Sequence, residues 1–314
     1  MAVTDETVKT TMETVKSKDV VFYERALLER LLPLLHAYDD AQKSKLPRNS
    51  GLTVNWRRYK ALEINTTPAE AGVVPEGKGL KADIVNAQAK QYLDYVVIPD
   101  VVAMAGIDKA MAEGVVLCSE QASLLYDTVI VNELLSEEED LDAKANGQTG
   151  VKRGATPFTH TGKMTSELVR KIVLQLKKKN ARRFSDGYYH AIITPEQAFA
   201  LMGEKDSGWI DAAKYGSIKK LLKGELGELH GVRFMESTNP AWGSNGVIYG
   251  ADSYGVVDLE GGAGKPSIIK KDFGSAGTND PCDQIATLGW KSFFTARVLN
   301  HDAIYKFTTT GDTE

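Results

Sequence analysis

"PRNSGLTVNWRRYKALE" (Pro47–Glu63) decides how the rest of the chain is read. A turn signal, Asn49-Ser50-Gly51, opens it, and strand-like alternation follows. Leu52, Val54, Trp56 and Arg58 fall on one face; Thr53, Asn55, Arg57 and Tyr59 fall on the other. Neither face is apolar enough for the inside of a sheet, and neither is polar enough for plain surface. A return run, "ADIVNAQAKQYLDYVVIPD", places Val85, Ala87, Ala89, Leu93, Tyr95 and Val97 on one side. Asn86, Gln88, Lys90, Tyr92 and Asp94 take the other side. The connection, rich in turn formers, carries Pro68, Gly72, Pro75, Gly77 and Gly79. Together the two runs predict an extended ribbon from Asn49 to Asp100. A strand of about twelve residues spans roughly 40 Å, and an isolated two-stranded ribbon is marginal in water. The ribbon therefore needs a surface to lie on.

Ahead of it, residues 1–48 read as an arm. Val21–Leu35 has an apolar helical face of Phe22, Leu27, Leu28, Leu31 and Leu35, with Pro33 as its kink or end. Beyond it, Asp108 to Leu135 predicts a helix of about 28 residues, a rod of roughly 42 Å. Ile107, Met111, Val115, Cys118, Ala122, Leu125 and Val129 form its stripe, and Asp108 is a suitable N-cap. Such a rod braces an elongated body. The acidic run "SEEEDLD" after it reads as solvated loop.

From Thr165 the pattern becomes α+β. "TSELVRKIVLQLKKKNARRF" is an amphipathic helix with Leu168, Val169, Ile172, Val173 and Leu176 inward. "GYYHAIITPEQAFALM" is a strand running into a helix: Thr194 caps it, Pro195 takes the first turn and Gln197 completes a capping box. Short strands are expected at Val232–Ser237, Val247–Tyr249 and Tyr254–Leu259. The carboxyl end is two β-rich runs joined at Asn300-His301-Asp302.

The chain has 314 residues, 42% hydrophobic and 25% charged, with a formal net charge of −4. That is ordinary globular usage for one large domain or two of usual size, and the mild acidity argues against a dedicated nucleic-acid clamp. No apolar run approaches the ~20 residues of a membrane span, and the polar first twenty residues do not form a signal peptide. A soluble protein made inside a cell is expected. Cys118 and Cys282 lie outside any metal-ligand spacing and read as free buried thiols.

Catalytic motifs are missing where they would have to stand. "GGAGKPS" (Gly261–Ser267) has Leu259 and Pro266 where a phosphate loop needs Gly and Ser or Thr. "GKGLKA" has no strand–turn–helix context for a dinucleotide. His36, His160, His190, His230 and His301 show no ligand spacing, and Asn65-Thr66-Thr67 is a sequon without meaning in a cytosolic product. "KKKNARR" (Lys177–Arg183) is explained by a helix C-terminus, with nucleic-acid contact as the alternative. The expectation is a non-enzyme with no cofactor, no metal and no catalytic residue.

Four segments in order resemble the major capsid proteins of tailed phages of the coliphage N-four type. They are "LPLLHAYDDAQKSKLPRNSGLTVNWRRYKAL", "DGYYHAIITPEQAFALM", "GWIDAAKYGSIKKLLKGELGELHGVRFMEST" and "SAGTNDPCDQIATLGWKSFFTARVLNHDAIYKF". That family is similar in fold to the Hong Kong ninety-seven capsid protein. The resemblance implies an α+β subunit: an arm (1–48), an extended hairpin loop (49–100), a peripheral domain with a spine helix (101–160), an axial domain (161–281) and C-terminal strands returning to the peripheral domain (282–314). It further implies a structural protein of the virion, assembled in the host cytoplasm into pentameric and hexameric capsomers of a closed icosahedral shell. Its partners would be copies of itself, decoration, scaffold and portal proteins, and double-stranded DNA held by weak non-specific lumenal contact, with no membrane. Nothing in the chain looks like a cleaved scaffolding segment ahead of the arm.

On these terms the ribbon lies on a neighbouring subunit. Trp56, Arg57, Arg58, Tyr59, Lys90 and Tyr92 are the candidate inter-subunit contacts. Arg57 and Arg58 point to opposite faces, so at least one is placed to meet a neighbour's carboxylate. The alternatives are a same-fold cellular nanocompartment (encapsulin-like) and a soluble metabolic enzyme whose site assembles from distant segments.

Overall fold

In the computed structural model the residues described are 36–47, 51–66, 68, 77–105, 110–138, 153–204, 210–211, 225–259, 267–275 and 280–310. In chain order the first strands are β1 (Gln42–Leu46), β2 (Thr53–Tyr59), β3 (Ala82–Gln88) and β4 (Lys90–Pro99), followed by helices α1 (Asp100–Ala105) and α2 (Ala110–Leu135). Then come β5 (Thr156–Phe158), α3 (Ser166–Lys178), β6 (Tyr189–Ile193), α4 (Pro195–Met202), β7 (Ile210–Asp211), β8 (Glu225–Leu229) and β9 (Val232–Glu236). The last strands are β10 (Asn245–Tyr249), β11 (Tyr254–Leu259), β12 (Ser267–Lys271), β13 (Ile285–Val298) and β14 (Ile304–Thr308).

The 14-residue β13 organises the first sheet. Its burial alternates: Ala286, Leu288, Trp290, Ser292, Phe294 and Ala296 are buried, and Thr287, Gly289, Lys291, Phe293 and Thr295 between them are half-buried. Strands β11 and β12 pair antiparallel along one edge of β13 and β4 pairs antiparallel along the other, while β1 adds to β11 in parallel. The second sheet has seven strands in the order β5-β14-β10-β6-β9-β8-β7. Strands β2 and β3 form a separate hairpin.

The seven-stranded sheet is covered on one face by α3, whose Leu168, Val169, Ile172, Val173 and Leu176 pack on Ala191, Phe234, Ile248 and Phe307. These five are the residues the helical periodicity selects. Thr165 caps α3 by accepting the Leu168 N–H at 3.3 Å. The capping box at Thr194 and Gln197 is present, and the Gln197 amide also donates to Thr309 Oγ1 at 2.9 Å, tying the chain's end to α4.

The other face, through Ile192, Met235, Val247, Tyr249 and Ile304, meets Ile130, Val131 and Leu134 of α2 and Val256, Phe294 and Ala296 of the five-stranded sheet. The first half of α2 packs Cys118 and Ala122 on Leu288 and Trp290. One helix thus lies under the first sheet and ends wedged between both.

Some expectations require correction. The buried row of α2 is Gly114, Cys118, Ala122, Tyr126, Ile130 and Leu134, a strict four-residue step, while Met111, Val115, Leu125 and Val129 are only half-buried. A four-residue row is inclined to the helix axis, so α2 crosses the sheet obliquely. Asp108, the expected cap, and the Val21–Leu35 helix lie outside the described residues, as does most of Gly261–Ser267. By length and composition Met111–Leu135 would also suit a membrane span, with a mean hydropathy of 1.2. It buries Asp127 and Glu133 against the chain's own polar groups instead. Asp127 accepts the Ala37 N–H at 3.0 Å and the Asn239 amide at 2.8 Å. Glu133 sits between Arg153 at 2.8 Å and Arg297 at 3.4 Å. Cys118 is buried as expected, but Cys282 is exposed.

The sheets also divide the chain differently from the expected boundary at residue 281. Strands β11 and β12 belong with β13, and β14 joins the seven-stranded sheet rather than returning with β13. A short 3₁₀ turn at His301–Ala303, capped by Asn300, redirects the chain between the two. Two adjacent strands can therefore serve different sheets.

Two substitutions test this packing by urea unfolding of the unassembled subunit. A Cβ at Gly289 would meet the Tyr95 Cβ at 2.7 Å and the Asp94 carbonyl at 2.8 Å. Gly289→Val is expected to cost ~1–3 kcal/mol by overpacking, whereas Gly77→Ala, with nothing within 4 Å, should stay within about 0.5 kcal/mol of wild type. Thr194→Ala removes the cap of α4 and should cost about 1 kcal/mol.

Candidate assembly surfaces

A backbone has two hydrogen-bonding edges, and the run from Ala82 to Pro99 uses both in succession. Residues of β3 pair with β2 from Thr53↔Gln88 to Tyr59↔Ala82, and the Ala89 N–H closes that end on the Leu52 carbonyl at 2.8 Å. From Lys90 onward the partner is β13, and the Asp100 N–H reaches the Gln284 carbonyl at 2.9 Å on the opposite edge. Odd and even residues of one strand point their amides to opposite edges, so the change of partner needs no break. The expected return strand is correct in extent, but only its first half belongs to the ribbon. Its second half is a strand of the body.

This arrangement decides where each predicted contact residue goes. Trp56 faces its own chain: its indole N–H donates to Ser44 Oγ at 3.2 Å, and its ring lies over Gly255, where an added Cβ would come within 3.4 Å. Tyr92 packs beside both core clusters along α2, and burial pushes its phenol pKa up. Arg58 donates to Asn300 Oδ1 at 2.5 Å and lies 3.7 Å from Asp83, which Lys60 also approaches at 2.9 Å. Arg57, Tyr59 and Lys90 are exposed. Three of the six therefore root the hairpin on its own body, and three point outward.

The outward residues have neighbours that alternation did not single out. Around the hairpin's far end Leu62, Ile64 and Leu80 stand beside Tyr59 and Ile84, with Ile64 87% and Leu80 73% exposed. Leu80 lies in the turn-rich connection, and Leu62 and Ile64 on the approach to it, just past the end of β2 where the alternation has stopped; apolar residues flanking a Gly- and Pro-rich segment were the available clue. A second exposed group lies on the sheet face away from α2, where Tyr95, Gly289 and Ile269 stand abreast on β4, β13 and β12. Leu93 is exposed one step along β4. On the opposite face Gln121 of α2 donates to Asp94 at 2.6 Å and accepts from the Trp290 indole at 2.9 Å, which fixes the orientation of β4. Phe199 of α4, 80% exposed, belongs to neither group. Exposed apolar groups of this kind mark places where another surface would lie.

Among the described residues no group of His, Cys, Asp and Glu is arranged to hold a metal ion. Burial pushes the Cys118 thiol up, with the Asp94 charge adding to the shift, so it is no ready nucleophile. "GKGLKA" leads into β3 and has no helix behind it.

No protein-family model matches the chain, and no curated protein is similar to it in sequence. Solved structures are similar along nearly its whole length. That of Mycobacterium phage Che8 aligns over 95% of this chain and 99% of its own, at 15% identity and a TM-score of 0.64. The capsid of Ralstonia phage GP4 covers 95% of this chain and 97% of its own, at 11% identity and 0.68. The SrpI encapsulin complex of Synechococcus elongatus covers 92% and 94%, at 10% identity and 0.56. With its rooted hairpin, long spine helix and paired sheets, the chain has the Hong Kong ninety-seven capsid fold, in its α+β form.

Proposed function

We propose that this chain is a shell-forming subunit, the major capsid protein of a tailed phage with a double-stranded DNA genome. The observation that carries this is the hairpin: rooted by Trp56, Arg58 and β4, it leaves Tyr59, Leu62, Ile64 and Leu80 exposed. Fully burying a Leu or Ile side chain contributes ~1.5–3 kcal/mol, so Leu62, Ile64 and Leu80 together offer roughly 4–9 kcal/mol. Association costs ~4–15 kcal/mol. One hairpin is thus a weak contact, and a lasting particle needs each subunit to make several at once. Head-to-tail contacts that close supply this as rings, which are the pentamers and hexamers of an icosahedral shell.

The ribbon is proposed to lie on an adjacent copy, with Arg57, Tyr59 and Lys90 among its contacts. Trp56, Arg58 and Tyr92 support it from within their own subunit. Decoration, scaffold and portal proteins, the coliphage N-four type, a place in the virion and weak lumenal contact with DNA complete the proposal. The similarity to an encapsulin keeps a second reading, a cellular compartment enclosing an enzyme. Cargo separates the two: nucleic acid recovered from purified particles supports the phage shell, and a co-purified enzyme supports the compartment.

Excising 52–97 would strip β4 from the body as well as the hairpin, so side-chain changes at the tip are the cleaner test. Leu62→Ser, Ile64→Ser and Leu80→Ser combined should leave the urea midpoint of the unassembled subunit unchanged. Light scattering and negative-stain microscopy should show the concentration needed for shells raised at least ~100-fold, equivalent to ~3 kcal/mol. Shells of normal size at wild-type concentration would exclude the hairpin's role. Wild-type protein that stays monomeric at high concentration would exclude shell formation itself.

A further inference from the structure

His190 lies in β6 with its side chain almost wholly buried. Its Nδ1 is 2.6 Å from Asp40 Oδ2 and its Nε2 is 3.0 Å from Asp186 Oδ2. An ionised carboxylate only accepts, so with both acids charged the two contacts are hydrogen bonds only if each ring nitrogen carries a proton. The geometry is that of an imidazolium. Phe184 stacks on the ring at 3.9 Å and 8°, shielding one face. Each carboxylate oxygen has a second donor from the same sheet: Arg233 Nη1 to Asp186 at 2.8 Å, and the Tyr249 hydroxyl to Asp40 at 2.8 Å.

The two carboxylates belong to different parts of the molecule. Asp186 sits in the turn before β6, and Arg233 and Tyr249 are the cross-strand neighbours of His190 on β9 and β10. Asp40 lies in the strap 36–41, which runs directly into β1 on the five-stranded sheet. A single ring therefore bridges the strap feeding one sheet to the middle of the other. Nearby fastenings hold the strap elsewhere: Ala37 N–H on Asp127 at 3.0 Å, the Tyr254 hydroxyl on the Ala37 carbonyl at 2.7 Å, and the Tyr38 hydroxyl on Asp258 at 2.9 Å.

We propose that His190 is a proton-dependent latch: doubly protonated it clamps the strap to the seven-stranded sheet, and when Nδ1 gives its proton to solvent the ring keeps its Nε2–H on Asp186, which Arg233 holds in place, and turns a bare nitrogen toward Asp40, releasing it. The charged and titratable groups that contact the ring or its two carboxylates are Asp40 of the strap, Asp186 of the turn, Arg233 and Tyr249; Tyr188 lies against Arg233, Tyr254 against Tyr249, and farther along the strap Asp39 and the buried His36 act on Asp127 of α2. Burial pulls the imidazole pKa down, but the hydrogen bonds and charges of Asp40 and then Asp186 outweigh it and hold the ring above its ordinary value. A folded-state value above the unfolded one stabilises fully below about pH 6.5, the unfolded value. The contribution is then lost as pH rises through the folded value. Burial pushes Asp186 up, yet its bonds to His190 and the Tyr188 N–H, with the His190 and Arg233 charges, leave it below its usual range. Its contribution is lost only in acid, as pH falls through that lowered value. The latch is closed between these limits and opens on the alkaline side. It acts within one subunit, whether or not subunits form shells.

Amide hydrogen exchange of the full-length protein, corrected for the intrinsic pH dependence of exchange, tests the latch in peptides covering 36–46. In the wild type, protection of these peptides should fall at least about tenfold between pH 6 and pH 9, while those covering β6 and β10 stay unchanged. His190→Gln should show the low protection already at pH 6 and no pH dependence. A wild-type strap with flat protection, or a variant that keeps the wild-type pH profile, would overturn the proposal. If His190→Gln does not fold, nitrogen-15 shifts of the wild-type imidazole decide: both nitrogens protonated at pH 7 support the latch, and one bare nitrogen refutes it.

Discussion

The constraint on which the rest of this structure depends is that one strand serves two partners on opposite edges. Ala82–Gln88 is held by β2 and Lys90–Pro99 by β13, with no turn between them. Because β4 is committed to β13 over ten residues, the hairpin it continues into cannot fold back along the same edge. It leaves the body as a cantilever. Trp56 against Ser44 and Gly255, and Arg58 on Asn300, steady its base. The further reaches have no such support, which leaves Ile64 and Leu80 in water in a lone subunit. The rigidity that projects the hairpin and the apolar exposure at its end have the same cause.

The body achieves that rigidity by routing everything through one junction. Helix α2, both sheets and the strap 36–41 meet in a single apolar cluster that includes Ile130, Leu134, Tyr249, Tyr254 and Phe294. Around it lie polar ties that are buried but paired: Asp127 with Ala37 and Asn239, Glu133 with Arg153 and Arg297, and His190 with two carboxylates. Burying charge is expensive, and an apolar core of the same volume would be about as stable. What paired charges add is directionality. Apolar surfaces can slide over one another, while a bidentate or doubly bonded ion pair has one position. At a junction where a helix, a strap and two sheets meet, such ties fix how the parts sit on one another.

Much of this was legible from local pattern. The inward residues of α3 and the capping box at Thr194 need only a window of a few residues, and each was found where the pattern placed it. The two β-rich runs that become β13 and β14, and their joint at 300–302, were also legible, but their partners were not, because strand pairing is non-local and the turn at 301–303 sends the two strands to different sheets. Trp56 lies on the ribbon and Tyr92 on the body strand that continues it; that both turn inward depends on Gly255 and α2, far away in sequence. Leu62, Ile64 and Leu80 escaped because they stand beyond the ends of β2 and β3, where there is no period to violate. Asp40, Asp186 and His190 meet from two distant segments, and no spacing rule brings them together.

The comparisons show how little of the residue-level chemistry the fold demands. At 15% identity or less, near-complete coverage persists with structures from a phage and an encapsulin. In this chain the features that set the overall path are matters of pattern rather than of particular side chains: a strand that changes edges, a long helix crossing beneath it, and a period of two in β13. Those features specify a plate with a projecting finger. They do not specify which side chains cap the finger or what a shell would enclose, because surface residues at the tip and the outer sheet face are free of the constraints that fix the junction. The fold accordingly fixes where the hairpin and the outer sheet face are presented, and no more than that. Under the proposed shell assembly the affinity has to come from exposed side chains such as Tyr59, Leu62, Ile64, Leu80, Tyr95 and Ile269, and none of these is tied into the junction that holds the body together.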